Sequence, residues 1–168
     1  ADVRLANLTL NHSEPRDRAM RRVRGDLVIV GTGPLEEALR RQIAASGLQD
    51  RITLVGYLER QELQCLLHAC RVFTLPSVEK SETFGIAQAE AMACGRPVVG
   101  VNAGGVAETV TAEVGQLAAS ADPAQYAEAV EALFQRDIEA VGQAARIHTV
   151  EQFAWSRVFE DLCMVYGD

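Results

Sequence analysis

The chain has 168 residues, a hydrophobic content of 48% and a formal net charge of −7 at pH 7. This size suffices for one domain with a substantial hydrophobic core, whereas two domains would need a longer chain. The acidic balance and the absence of a long Lys/Arg run argue against a nucleic-acid surface, because phosphate-backbone binding needs clustered positive charge.

Short apolar strands alternate with helical patterns along most of the chain. A first strand is expected over residues 3–10, and the arginine-rich residues 16–24 fit the solvated face of a surface helix. Four clearer pairs of strand and helix follow, at residues 26–31 with 35–46, 52–56 with 60–69, 72–75 with 84–94, and 97–101 with 106–110. A short strand and three helices complete the chain, at residues 114–117, 124–134, 138–153 and 156–166.

This alternation predicts the fold class. Continuous apolar strands separated by helices are typical of a parallel sheet covered on both faces, because right-handed crossovers place helices on each side. We therefore predict one domain of doubly wound, Rossmann-like α/β class. Ligands of such sheets bind beyond the carboxyl ends of the strands, which directs attention to the loops at residues 31–34, 56–59, 76–83 and 102–105.

The first of these loops contains two glycines, Gly31 and Gly33, followed by Pro34. Glycines at the start of a helix let backbone amides face an anion. A dinucleotide fingerprint would need a third glycine or an alanine where this chain has Glu36, so an NAD enzyme is not indicated. Taken alone, the glycines are also compatible with a simple tight turn.

The cysteines and histidines show no metal-binding pattern. Cys65, Cys70, Cys94 and Cys163 lie among alanines and leucines at helical positions, without paired zinc spacing or the density of a secreted scaffold. We expect reduced core thiols in a cytoplasmic protein. The three histidines are too scattered to complete a metal site, and the sequence shows neither a signal peptide nor a transmembrane run.

Two glutamates, Glu82 and Glu90, stand in a segment of otherwise small or apolar residues that predicts a buried helix. An unpaired carboxylate removed from water costs several kcal/mol, so Glu90 is expected to be buried beside hydrogen-bond donors or a charge partner. Eight helical residues rise about 12 Å, more than the ~5 to 9.5 Å that separates the two carboxyls of a glycosidase.

Each glutamate therefore fits a different part of one elongated ligand. The amides of Phe84, Gly85 and Ile86, which have no acceptor within a helix that begins there, would lie between the two carboxylates. A sugar nucleotide, with its hexose, diphosphate, ribose and base, has this shape.

These residues form part of a longer pattern that resembles the donor-binding half of retaining glycosyltransferases of group 1 (family 4). Two glutamates with seven residues between them mark that family, as Glu82 and Glu90 do here. Further similar segments are residues 28–34, Leu75-Pro76-Ser77, residues 90–99, Gly104-Gly105 with Glu108, and Phe153-Ala154-Trp155 before the last helix. The resemblance covers roughly residues 26–166.

The resemblance implies the C-terminal domain of a two-domain GT-B enzyme that transfers a hexose from a UDP or GDP donor, with retained configuration and without a metal or other cofactor. Glu82 would bind the hexose hydroxyls and face the reacting carbon, while Glu90 would hold the ribose hydroxyls. The amides of residues 84–86 would contact sugar and diphosphate. The base would be bordered by Gly56 and the backbone near Tyr57 and Leu58.

Two departures from the family pattern bear on catalysis. The family places Gly-Arg and then a lysine at the mouth of the first strand, whereas this chain offers Arg4 and has Thr9 near the lysine position. The one lysine of the chain, Lys80, lies in the loop before Glu82, where a solvated side chain is the simpler interpretation. The N-terminal acceptor domain is not in this chain, so we expect it to be inactive alone.

Two other functions stay open. One is a non-catalytic nucleotide or nucleotide-sugar binding module, which the absent lysine and acceptor domain favour. The other is a sugar-nucleotide epimerase, against which the paired glutamates argue. For the full-length enzyme, a membrane-associated acceptor at the inner face of the membrane is a further option. We also predict self-association through the last helix, whose apolar face lacks the cover of a second domain: Trp155, Val158, Phe159, Leu162 and Tyr166.

Overall fold

A parallel sheet runs through the structure, a computed structural model that describes residues 25–77 and 85–166 and the backbone of residues 3–7. Its strands in these ranges are β1 (Val3–Asn7), β2 (Asp26–Val30), β3 (Ile52–Gly56), β4 (Val72–Leu75), β5 (Val98–Val101) and β6 (Gly115–Ala118). Their order is β3-β2-β1-β4-β5-β6, and every neighbouring pair is parallel. The predicted doubly wound α/β class is confirmed.

Strand β1 lies in the middle of the sheet. Leu5 is paired in register with Leu27 on β2 and with Val72 on β4, so the chain builds outward from β1 in both directions. The strand order therefore reverses at β1, which is the switch point where open α/β sheets bind ligands. The predicted first strand is confirmed for Val3–Asn7, while the rest of it and the arginine-rich residues 16–24 lie outside the described residues.

Helices flank the sheet on both faces. In the described residues they are α1 (Glu36–Ser46), α2 (Arg60–Ala69), α3 (Ile86–Ala93), α4 (Val106–Thr109), α5 (Pro123–Phe134), α6 (Ile138–Phe153) and α7 (Trp155–Tyr166). Aspartates cap two of them: the Asp122 carboxylate accepts from the Ala124 amide at 3.0 Å, and Asp137 accepts from the Glu139 amide at 3.1 Å. Such caps satisfy amides that have no partner within the helix.

Two apolar clusters fill the space between helices and sheet. Val72 and Val99 point into the cluster covered by α1 and α5, whereas their neighbours Phe73 and Val98 point into the cluster covered by α2, α3 and α4. Successive residues of a strand face opposite sides, so a strand that is apolar throughout is buried on both faces.

Helix α6 packs closely against the end of α3. A Cβ atom built on Gly142 would lie 2.3 Å from the carbonyl oxygen of Gly95, the second residue after α3. Arg146, one turn further along α6, donates to the Ala93 carbonyl at 3.2 Å. The glycine at position 142 is therefore what permits this approach of the two backbones.

The prediction that all four cysteines are core thiols is wrong for two of them. All four are free thiols, but Cys65 and Cys163 are exposed, Cys94 is half-buried and Cys70 alone is fully buried. Cys65 stands two residues before Leu67, the buried residue of α2, and two residues turn a helix to its opposite side. Helix α7, which carries Cys163, has no buried residue.

The predicted apolar face of α7 is confirmed as exposed. Trp155 is 75% exposed and Tyr166 is 81% exposed, with Phe159 and Leu162 also open to solvent and Val158 half-buried. The charged side chains of this helix pair within it, as Arg157 does with Asp161 at 3.2 Å. Among the described helices, none combines the length and the apolar composition needed to cross a bilayer.

Candidate functional site

The loops after β2 and β3 meet at the carboxyl edge of the sheet. The Gly31 amide donates to the carbonyl of Gly56, the last residue of β3, at 2.7 Å. Both glycines have positive φ, +113° and +71°, where a side chain would be strained. The Gly33 carbonyl accepts from the Glu36 amide at 3.1 Å and so closes the turn that leads into α1. The predicted residues Gly31, Gly33 and Gly56 are thus brought to one edge.

The residues after Gly56 differ in exposure. Tyr57 is 71% exposed, and Leu58 is half-buried beside it. Both precede the start of α2, where Glu59 and Glu62 form a capping box. The Glu62 carboxylate accepts from the Glu59 amide at 2.9 Å, so this loop is held at the point where it enters the helix.

The start of α3 presents backbone amides at the same edge, beyond β4. Gly85 precedes the helix with φ +71° and ψ 58°, and its carbonyl accepts from the amides of Gln88 at 2.9 Å and Ala89 at 3.2 Å. The amides of Ile86 and Ala87 come before these first hydrogen bonds, and no side chain caps this end of the helix. The end of α3 that lies at the edge is therefore its positive end.

The expectation that Glu90 is buried is wrong. Glu90 is exposed, as is Ile86 one turn before it, and the buried residues of α3 are Gln88, Ala91 and Met92. The helix is covered on one side by the sheet and α6, and the opposite side is open. Burial of Glu90 is therefore no argument that a ligand binds there. The argument rests instead on the position of Glu90, on the open face of α3 near the start of the helix.

Gln88, to which the sequence analysis gave no role, is the buried polar residue of this helix. It is completely buried, and its Nε2 donates to the Thr109 hydroxyl on α4. A sequence signal for it was available, because a glutamine between Ala87 and Ala89 contradicts an apolar helix as much as a glutamate does. The polar group enclosed in α3 is thus an amide rather than a carboxylate.

Several predicted site residues are not placed at this edge by the described structure. Glu82, Phe84, Lys80 and Thr9 lie outside the described residues. Arg4 is the second residue of β1, so its backbone is about 10 Å along the strand from Asn7, where the carboxyl end lies.

Two further features concern binding. A groove of about 290 Å³ lies between α1 and β3, and none of the loop residues above lines it: Arg40, Ile43, Ala44, Gln49, Ile52, Thr53 and Leu54. Within the described ranges, no three His, Cys, Asp or Glu side chains are grouped so that they could hold a metal ion.

A parallel sheet of this strand order, with glycine loops and the start of a helix at its carboxyl edge, is a Rossmann-like ligand-binding domain. Residues 13–136 match the family described as glycosyl transferases group 1, and the chain belongs to that family. The family resemblance predicted from the sequence is confirmed.

Curated relatives support the same family. The chain is 31% identical over 128 residues to the 2-deoxystreptamine N-acetyl-D-glucosaminyltransferase of Niallia circulans, a match covering 74% of this chain and 32% of that protein. It is 30% identical over 157 residues to the D-inositol 3-phosphate glycosyltransferase of Mycolicibacterium smegmatis, covering 89% of this chain and 36% of the relative. The chain thus spans about a third of the length of these relatives.

Solved structures show the same fold. HepE from Anabaena, in complex with UDP and glucose, superposes with a TM-score of 0.81 at 21% identity, over 98% of this chain and 48% of HepE. Sucrose-phosphate synthase from Thermosynechococcus elongatus gives a TM-score of 0.82 at 26% identity, over 98% of this chain and 45% of the synthase. The chain therefore has the fold of about half of a GT-B enzyme, as predicted for the C-terminal half.

Proposed function

We propose that the chain is the donor-binding domain of a retaining glycosyltransferase that takes a hexose from a nucleoside diphosphate, UDP or GDP, and passes it to an acceptor. Membership of the group 1 family supports the transfer reaction. The complexes of HepE with UDP and with UDP-glucose support the class of donor. The observation that carries the site is the N-terminal end of α3, whose first amides precede the hydrogen bonds of the helix and whose exposed face bears Ile86 and Glu90.

The spacing on α3 suits a nucleotide. Ile86 and Glu90 are four residues apart and therefore lie on the same helix face, about 6 Å apart along the axis. A diphosphate at the amides of Gly85 and Ile86 would gain roughly 0.3 to 2 kcal/mol from the helix field. Side chains of a helix lean toward its N-terminus, so the Glu90 carboxylate would meet the adjoining ribose hydroxyls.

Other roles in the proposal come from the family resemblance. Glu82 would face the reacting carbon of the hexose, and the Phe84 amide would join those at the helix start. Gly31, Gly33, Gly56 and Leu58 would line the phosphate and base positions, and Arg4 would contribute charge to the diphosphate. No metal or other cofactor is included, so the diphosphate charge would be met by amides and side chains of the protein.

Titration with UDP, GDP and their sugars tests the proposal. Hydrogen bonds to a charged group are worth about 1.5 to 3 kcal/mol, so Glu90→Gln should weaken binding by roughly ten- to a hundredfold. Glu151→Gln, at an exposed position on α6, is the matched control and should bind as the unaltered chain does. Absence of nucleotide binding, or equal binding by both variants, would refute the proposed site.

The non-catalytic binding module is the second candidate function. One observation favours it: the chain has no lysine except Lys80, so part of the phosphate clamp typical of the family is not found. Both candidates predict nucleotide binding, and a transfer assay separates them. The chain should be inactive alone, and transfer after addition of an N-terminal acceptor half would support the enzyme.

We also propose that copies of the chain associate through α7, with the acceptor domain as the alternative cover for that helix in a full-length enzyme. The exposed apolar side chains of α7 support this. The four free thiols support a cytoplasmic location, where disulfides are rare.

A further inference from the structure

A side-chain hydrogen bond joins the two helices that follow neighbouring strands. Gln88 on α3 donates through Nε2 to the hydroxyl of Thr109 on α4, and both side chains are buried. The Thr109 hydroxyl lies 3.3 Å from the carbonyl oxygens of Gly105 and Val106 and can donate to them. The amide of Gln88 is thereby connected to the first turn of α4.

The same glutamine also defines the shape of the α3 start. A Cβ atom built on Gly85 would lie 2.7 Å from Cδ and 2.9 Å from Nε2 of Gln88. The Gln88 side chain therefore occupies the space beside Gly85, whose carbonyl accepts the first hydrogen bonds of the helix. Gly85 has a left-handed conformation that glycine adopts readily, and a larger residue there would collide with the Gln88 side chain.

Both ends of this connection lie at the candidate site. Strands β4 and β5 are adjacent, so their following loops reach the same part of the carboxyl edge. Helix α3 begins after the loop that follows β4, and α4 begins at Val106 after the loop that follows β5. The hydrogen bond between Gln88 and Thr109 therefore links the start of α3 to the helix that follows the second loop.

We infer that Gln88 is a positioning residue: its hydrogen bond to Thr109 holds the amides at the start of α3 in the orientation that binds the donor diphosphate. The ligand in this inference comes from the proposed function, whereas the mechanism comes from the contacts described above. Gln88 is enclosed and does not touch the ligand; it acts through Gly85 and through the first turn of α4.

Two variants remove the hydrogen bond with little change of volume, Gln88→Leu and Thr109→Val. Each should weaken binding of UDP or GDP by about tenfold, because a displaced first turn aims its amides poorly. Thr109→Ser keeps the hydroxyl and should bind within twofold of the unaltered chain. Because both changes remove the hydrogen bond between Gln88 and Thr109, the effects of Gln88→Leu and Thr109→Val on binding should be less than additive in the double variant.

A matched control separates positioning from general loss of stability. Thr149 on α6 is also buried, and its hydroxyl donates to the Ala145 carbonyl at 2.8 Å. Thr149→Val removes the same kind of hydroxyl from a different helix and should lower the melting temperature to a similar extent, without weakening nucleotide binding. Equal weakening by Thr149→Val and Thr109→Val would overturn the inference.

Amide hydrogen exchange tests the connection without any ligand. Thr109→Val should accelerate exchange at Ala89, whose amide bonds to Gly85, and Gln88→Leu should accelerate exchange at Thr109, each by about tenfold. If each variant changes exchange only in its own helix, the inference fails whatever nucleotide binding shows. If each variant accelerates exchange in the other helix but the unaltered chain binds no nucleotide, then Gln88 does position the start of α3 and the proposed function is wrong.

Discussion

The thiol of Cys70 is enclosed between α2 and β4, and this determines its reactivity. Burial raises the pKa of Cys70 to about 12, although the nearby Arg96 guanidinium lowers it. Only the thiolate reacts with alkylating agents, so at pH 8 roughly one Cys70 thiol in ten thousand is reactive, and even that one is shielded from solvent.

We therefore expect iodoacetamide to label Cys65 and Cys163 readily in the folded chain, Cys94 more slowly and Cys70 only after unfolding. Mass spectrometry of the labelled peptides, with and without denaturant, measures this order. Labelling of Cys70 in the folded chain at the rate of Cys65 would show that the packing around β4 is different.

The contrast between Glu90 and Gln88 shows what the sequence could predict at single residues. The segment that ends at Glu90 correctly indicated a helix with a polar group enclosed in an apolar setting. Assigning that enclosure to Glu90 was wrong, because a helix packed on one face of a sheet has one covered side and one open side. Which residue faces the sheet depends on the rotation of the helix, and a run of small residues leaves that rotation undetermined.

At the level of elements, the close contact between α3 and α6 leads to a prediction for Gly142. Alanine normally stabilises a helix interior relative to glycine by about 0.5 to 1 kcal/mol. Here the added Cβ would meet the Gly95 carbonyl oxygen at 2.3 Å, and a backbone atom cannot rotate away as a side chain can. Gly142→Ala should therefore lower the free energy of unfolding, by about 1 to 3 kcal/mol.

The control lies on the same helix. Ala140 is exposed, so Ala140→Gly should cost only the propensity difference of about 0.5 to 1 kcal/mol. Urea unfolding of both variants gives the comparison. A stabilising effect of Gly142→Ala would mean that the two backbones are further apart than described.

The positions of most strands and helices followed from the sequence, because apolar β-branched runs and helical spacing were both clear. Helix α5 begins at Pro123 behind the Asp122 cap, within a residue of the predicted start. Helix α3 was less predictable: its start at Ile86 follows a left-handed Gly85, and a residue with a side chain at position 85 would collide with Gln88. Only the structure shows this contact.

For the whole molecule, the exposed side of α7 predicts concentration-dependent association. Phe159 is 59% exposed, and Phe159→Glu would place a charge in any interface formed by this helix. Light scattering should give a mass that rises with concentration for the unaltered chain and stays that of a monomer for the variant. Trp155 emission should shift to shorter wavelength on association, because its indole is exposed in the single chain.

A charge on another part of the surface provides the comparison. Val55 is 37% exposed on the edge strand β3, so Val55→Glu should associate as the unaltered chain does. A monomeric mass for the unaltered chain at all concentrations would rule out association through α7.

The central place of β1 has a consequence for synthesis. Among the six described strands, β1 comes first in the chain and lies in the middle of the sheet. Each later one joins an edge that is free when it leaves the ribosome: β2 and β3 on one side, then β4, β5 and β6 on the other. None of these six strands has to insert between two that are already paired. The sheet can therefore grow during translation without breaking a hydrogen bond already formed, which shortens the time for which unpaired edges could capture a neighbouring nascent chain.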